Sequence, residues 1–432
     1  MPTPLLYLPL KVPVRFDLVK PLAEWLDDPE STTAFDNDGN DGDAAPSLWV
    51  IPKPSFSSVE CRSELLRIAA LRNCMSEHLQ DSHKSALENS MLRDAQDYHA
   101  TLLQFERQGF PTSFDDNIDH PSPLQLTWRG AFGKRGQEMH PSLLWDRAST
   151  LWNIAALQSA QAALDSDVRT KDGLKVAISN LQNAASNLKV CQQLVESYSD
   201  HIDTVDLSKP MLQFWEKVCL AQAQVSIYKL ANHSESAVRN HTTLAYLIQG
   251  AAPLYNEALG LSKSPILQAE VPQPSQEWAA HCKAQSMLCQ ARAYFHISIS
   301  CRISKDAHGM EIARLQQTIT TLQELLQFCT STQVLKEAVK LVASKQQKKK
   351  GDDDTVSPMA AAAATIQPEA DSLLKLATSR LECAQEDNRT IYMDDVPRGE
   401  LPEIRAQTMV KTSPQMSDDM LTAKAKLFEW VR

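Results

Sequence analysis

Residues Leu207 to Ala231, LSKPMLQFWEKVCLAQAQVSIYKLA, read as one helix whose apolar side chains cover most of its circumference. Ser208 and Pro210 supply a helix start, and no Gly or Pro interrupts the chain from Met211 to Ala231. Met211, Phe214, Val218, Ala221, Val225 and Tyr228 step by three and four residues, so at about 100° per residue they form one stripe. Leu212, Trp215 and Cys219 form a second stripe, and Leu220, Ala223, Ile227 and Leu230 a third. A polar wedge of Gln213, Lys217 and Gln224 is left between them. Such a helix either sits between other helices or keeps one face for a partner that arrives later. Periodicity alone favours burial on every face.

The same reading extends along the chain. Helical patterns run through Leu143–Ala163, Gly173–Glu196, His241–Leu261, Gln276–Ser304, Met310–Cys329 and Glu369–Gln385, with a first helix at Phe16–Leu26 and two more between Ser63 and Gln108. Glycine fits this picture: 12 in 432 residues is well below the average usage of about 7%. Strand signals are confined to Leu5–Val12 and Leu124–Phe132. Helix follows helix with short connections and no βαβ alternation, which predicts antiparallel helix pairs stacked as a solenoid. Residues 30–46, centred on DNDGNDGDAA, hold too little apolar surface to order themselves and read as an acidic mobile loop. Residues 345–365, KQQKKKGDDD followed by an alanine run, read as a low-complexity insertion. Pro397 and Pro402 forbid a helix over 387–412, which therefore reads as an extended strap.

Several function classes fall away. A net charge of -10 argues against a nucleic-acid binder, which needs clustered Lys and Arg for phosphate. The first residues, MPTPLLYLPLKVPVRF, lack the basic lead-in and cleavage pattern of a secretory signal, and no apolar run approaches the roughly 20 residues of a membrane helix. Nine scattered cysteines without a C-x-x-C pair suit reduced thiols in the cytosol. Cys61 to Arg67 and Cys383 to Arg389 match the spacing of a phosphatase loop but carry no glycine to turn backbone N–H groups onto a phosphate. Cys282, Cys289 and His296, beside His281, repeat every seven residues. That places them about 10 Å apart along a helix. Ligands at about 2.0–2.3 Å from one zinc cannot span that separation, so they read as a stripe facing the core, with no metal and no cofactor expected. The phosphate-loop, dinucleotide and hydrolase motifs are missing as well.

Segments in order along the chain resemble the Bro-one (BRO) domain of Alix and its relatives: FDLVKPL (16–22), LTWRGAF (126–132), LWNIAALQSAQAA (151–163), DGLKVA (172–177), CLAQAQ (219–224), EIARLQ (311–316) and AQEDNRTIYMDDVP (384–397). The resemblance implies one domain over 1–432, mostly α, a boomerang-shaped helical solenoid with a tetratricopeptide-like core and a small N-terminal β-sheet. It further implies a non-enzymatic adaptor of the ESCRT pathway, cytoplasmic and recruited to endosomes. Its concave apolar groove would bind the C-terminal amphipathic helix of an ESCRT-III subunit of the charged-multivesicular-body class.

Carried over by position, the family's groove aromatic falls on Ile227, two aliphatic groove residues fall on Thr243 and Leu247 with Leu244 adjacent, and a groove lysine falls on Lys175. Ile227 stands where the family has an aromatic ring, and Thr243 where it has an aliphatic side chain. Pro253 falls inside a helix that the family leaves uninterrupted. Tyr392 matches a family tyrosine on the strap, where ring burial and a hydroxyl hydrogen bond would anchor it. The last residues, LFEWVR, coincide with the end of the family domain and lack a C-a-a-X signal. The competing reading is a rhophilin-type signalling scaffold, in which this domain localises a separate GTPase-binding region.

Overall fold

The computed structural model describes residues 5–14, 66–75, 89–107, 126–132, 137–140, 142–164, 167–197, 204–233, 240–304, 307–347 and 358–412. The expected first helix at 16–26, the acidic loop 30–46, residues 348–357 of the lysine-rich insertion and the final LFEWVR lie outside the described residues. By their contacts the residues form two compact units, one built on 1–8, 158–192 and 208–414, the other on 9–157, 193–207 and 415–432.

The second of these holds the small sheet. Strands β1 (Val12–Pro13), β2 (Leu126–Arg129) and β3 (Gln137–His140) pair antiparallel in that order. Val12 lies opposite Arg129, and Trp128 opposite both Pro13 and Glu138. The expected strand Leu5–Val12 pairs in this way only at its last residue. Residues 5–11 instead run extended against side chains that imitate a neighbouring strand: Asn153 accepts from the Lys11 N–H at 2.8 Å and donates to the Lys11 carbonyl at 2.8 Å. A helical stretch over residues 66–75, helix α1 (Asn89–Arg107) and the first part of helix α2 (Leu143–Leu164) belong to the same unit.

At the centre of this unit is a buried carboxylate. Asp146, on the first turn of α2, accepts from Trp128 Nε1 at 2.6 Å, from the Tyr98 hydroxyl at 2.5 Å and from Arg72 Nη2 at 3.2 Å. Arg72, Tyr98, Trp128 and Asp146 are all fully buried. A charge removed from water persists only when paired and hydrogen-bonded, and this one is both. Burial pushes the Tyr98 hydroxyl well above its usual range, and the adjacent Asp146 charge adds to it. The tryptophan of LTWRGAF is thus a hydrogen-bond donor to α2.

The larger unit is a stack of helix pairs. It contains α3 (Lys171–Glu196, up to Gln192), α4 (Lys209–Asn232), α5 (His241–Gln249), α6 (Ala251–Ser262), α7 (Pro265–Glu270), α8 (Pro272–Ile303), α9 (His308–Ser331), α10 (Gln333–Gln347), α11 (Pro358–Ala364) and α12 (Ile366–Asp387). The long α8 packs against α5, α6 and α9, while α4 packs on α5 and α6. Phe214 and Trp215 of α4 meet Trp278 of α8: Phe214 stacks on it at 4.9 Å between ring centres, and Trp215 meets it edge-on at 5.6 Å. All three rings are buried.

Three elements differ from the sequence reading. The helix expected over His241–Leu261 breaks at Gly250, so that Pro253 falls in the first turn of α6, where its missing N–H has no intrahelical role. The alanine run forms α11, with Ala360, Ala362 and Ala363 buried, because alanine has the best helix propensity and its methyls allow close approach. Helix α10 has no counterpart among the expected helices; its Leu335 and Ala338 join the cluster formed by Leu288, Leu322, Leu325 and Ile366. Cys282, Cys289, His281 and His296 are buried, as a core-facing stripe requires.

Two buried histidines predict acid lability. Burial, and then the neighbouring Arg147, pull His99 down to about 3, and burial pulls His281 down to about 4, from an ordinary value of 6.5. Both stay neutral in the folded state while the unfolded chain takes up their protons below pH 6.5. Their stabilisation is therefore complete above pH 6.5 and is lost as the pH falls toward the folded values. Denaturant titrations should show a loss of roughly 2–3 kcal/mol per histidine between pH 7 and 4.5. His281→Phe should flatten the contribution from the larger unit.

Candidate functional site

The two glutamines of CLAQAQ organise the surface on which the expected groove residues lie. They stand two positions apart on a helix that is otherwise buried and apolar, and each reads a distant stretch of backbone. Gln222 accepts from the Leu6 N–H at 2.6 Å and donates to the Leu6 carbonyl at 2.8 Å. Gln224 donates to the Leu247 carbonyl at 2.8 Å and the Gln407 carbonyl at 3.0 Å, and accepts from the Met409 N–H at 2.8 Å. The polar wedge expected around Gln224 is therefore a buried clasp, and Gln224 is fully enclosed. An amide in such a place must satisfy both its donor and its acceptor, which fixes α4, α5 and the strap in one register.

Helices α4 and α5 form an antiparallel hairpin: Gln224 bonds Leu247 in the last turn of α5, while Tyr228 near the end of α4 and His241 at the start of α5 both reach His296 of α8. Ile227 lies on the last turns of α4, and Thr243 and Leu244 lie on the first turn of α5. Thr243 is exposed and Ile227 is half-buried. Leu244 and Leu247 are only 4% and 6% exposed, because α5 turns positions 244, 245, 247 and 248 into the stack. Of the four, then, Ile227 and Thr243 reach the surface and the two leucines form the layer beneath. Lys175, at the start of the second turn of α3, is exposed with its ammonium 2.9 Å from Asp172. At the end of α4, Tyr228 bonds His296 of α8 at 2.8 Å, and His296 meets His241 of α5 at 3.0 Å, so this end of the hairpin is braced by polar contacts.

The strap expected over 387–412 begins later than the sequence suggests, because α12 runs to Asp387 and a further helical turn follows it. Residues Asn388–Tyr392 form a π-turn that ends with Met393 in the left-handed conformation (φ 54°). The turn is held by Asn388, which donates to the Asp394 carbonyl and accepts from its N–H, both at 3.0 Å. Asp394 in turn caps α9 by accepting from the His308 N–H at 2.9 Å. From there the chain runs to Thr412 without helix or strand, with a bend at Gly399. Gly250 is required where the strap crosses α5, since a Cβ would collide with the Gln407 carbonyl. Tyr392 anchors differently from expectation: it remains 43% exposed, and its ring stacks on His308 at 3.4 Å instead of entering the core.

No group of three or more His, Cys, Asp or Glu among the described residues is arranged to hold a metal ion. No helix among them is long and apolar enough to cross a membrane. What the residues assemble is a platform of stacked helix pairs with an extended segment laced across it through side-chain amides. This is a helical solenoid module. The model of the BRO1-like domain family matches residues 53–430, and the chain belongs to that family.

Among curated proteins it is similar to human "Programmed cell death 6-interacting protein", 26% identical over 350 residues that cover 77% of this chain and 33% of that protein. It is likewise similar to the Saccharomyces cerevisiae "pH-response regulator protein palA/RIM20", 24% identical over 82% of this chain and 42% of that protein. The chain thus spans less than half the length of these relatives. Among solved structures, an ALIX BRO1 CHMP4C complex superposes with a TM-score of 0.71 at 22% identity over 99% of both chains. A Bro1 domain studied for endosomal targeting gives a TM-score of 0.70 at 16% identity over 100% of this chain and 99% of that one. These likenesses show the fold.

Proposed function

We propose that this chain is a non-enzymatic adaptor module of the ESCRT pathway. In this reading it acts in the cytoplasm and is drawn to endosomes by docking the C-terminal amphipathic helix of an ESCRT-III subunit along the α4–α5 hairpin. The observation that carries this reading is the match of almost the whole chain to the BRO1 fold that, in ALIX, has been solved in complex with CHMP4C. The hairpin supports it with a half-buried apolar side chain at Ile227, an exposed Thr243, and Leu244 and Leu247 packed firmly into the stack. An incoming helix reads such a ridge through anchors at i, i+3, i+4 and i+7. Lys175 adds an exposed positive charge for an acidic residue of that helix.

The test is titration of the chain with a labelled ESCRT-III tail peptide. Ile227→Asp places a charge on the half-buried contact and should weaken binding at least about tenfold, equivalent to about 1.4 kcal/mol, while circular dichroism stays unchanged. Lys175→Glu should cost a few-fold, with an effect that shrinks as salt is raised. Leu247→Asp is a poor probe, because it would bury a charge in the stack. Unchanged affinity for Ile227→Asp would remove the hairpin from the binding surface.

A further inference from the structure

Between the strap and helices α8, α9 and α12 lies a cavity of about 1010 Å³. That is as large as sites that enclose most of a bound ligand, about 300–1,000 Å³. Side-chain amides recur along its wall, among apolar residues such as Ile312, Val396 and Leu401: Gln249, Gln290, Gln316, Gln317, Gln385 and Asn388 all line it. Among them stands Arg314 of α9, only 4% exposed. Arg314 donates from Nη1 to Gln317 at 2.8 Å and from Nη2 to the Pro402 carbonyl of the strap, and its guanidinium lies 5.9 Å from the Tyr294 ring centre. These bonds use two of the five N–H groups that a guanidinium offers, and its Nε has no acceptor among the described residues.

No carboxylate among the described residues neutralises this charge. Glu311, one turn earlier on α9, pairs with Arg380 at 3.5 Å. Desolvation pulls the Arg314 guanidinium below the usual arginine range, as burial without a counter-charge does. The Gln249 Oε1 is also buried without a partner among them. A cavity that holds an uncompensated buried cation and an orphaned amide oxygen is incomplete without something to pair with them.

We propose that this cavity is a second binding site, which takes an extended peptide segment carrying one carboxylate side chain that neutralises Arg314. Amide side chains present donors and acceptors together, the complement of a peptide backbone. The charge balance favours a single carboxylate over a phosphate. Arg389 pairs with Glu386 at 2.7 Å, and Arg398 shares the exposed rim with Glu400 and Glu403, so the lining carries no surplus of positive charge beyond the buried Arg314 itself.

The probes are two capped pentapeptides, acetyl-Ala-Ala-Glu-Ala-Ala-amide and its Gln counterpart, titrated into the whole chain by calorimetry and by ligand-observed NMR. The Glu peptide should bind at least about tenfold tighter than the Gln peptide, and Arg314→Gln should reduce that ratio to about two or less. Because Arg314 also clasps the strap, Gln290→Leu serves as a second variant: it alters the wall, leaves the clasp intact, and should weaken the Glu peptide about fivefold. Equal affinity for the two peptides, binding of neither, or unchanged preference in both variants overturns the proposal. Displacement of the Glu peptide by an equal concentration of inorganic phosphate overturns the peptide assignment in favour of a general anion site.

Discussion

Replacing Trp278 by alanine is expected to destabilise the larger unit by about 3–5 kcal/mol, measured as a shift of its denaturant midpoint. The size of the effect follows from the cluster it would dismantle. Trp278 of α8 is 4% exposed, and the rings of Phe214 and Trp215 pack on it from α4, so truncation opens a cavity between the helices that the whole stack shares. Neighbouring side chains cannot collapse into that space without moving α4. The strap should loosen with it, because Gln224, the residue that fixes residues 407 and 409, rides on the same helix. Faster amide exchange at the Met409 N–H would report that coupling.

The second large effect is expected in the smaller unit. Asp146→Ala removes the acceptor shared by Trp128, Tyr98 and Arg72, leaving a guanidinium buried without a counter-charge and two donors without partners. Breaking one side of a buried pair costs about 3–5 kcal/mol, far more than an exposed ion pair would. Asp146→Asn separates charge from hydrogen bonding, since it keeps an acceptor for Trp128 and removes only the charge facing Arg72. An intermediate loss is expected for Asn, read in the same denaturation experiment. A loss below about 1 kcal/mol for Asp146→Ala would show that water or another group replaces the carboxylate.

These two sites mark where the sequence is legible and where it is not. The helix at Leu207–Ala231 is visible in its stepping of three and four, and the structure places α4 at Lys209–Asn232 with nearly every face buried. Local periodicity encodes burial because a helix surrounded by other helices needs apolar side chains all round. It does not encode which distant group a buried polar residue meets. Trp128 and Asp146 are 18 residues apart, and Gln224 and Met409 are 185 apart, so neither pairing leaves a local signature. The one signal is compositional: Gln222 and Gln224 sit in a run too apolar to leave an amide unsatisfied. The same limit explains why Leu244 and Leu247 read as groove residues by position, while the hairpin turns both into the stack. The split at Gly250 is foreshadowed by Pro253, which a continuous helix would not accommodate. Helix α10 escapes notice because its leucine and alanine spacing runs directly into the charged KQQKKK stretch, whose composition masks the periodicity.

Docking of a helix on the α4–α5 hairpin is tested most directly by hydrogen–deuterium exchange of the chain with and without a saturating ESCRT-III tail peptide. Slowed exchange is predicted at the first turns of α5 and the end of α4, around Ile227 and Thr243, with the exchange of α10 and α11 unchanged. Peptide binding that leaves residues 224–249 unaffected would contradict the assignment.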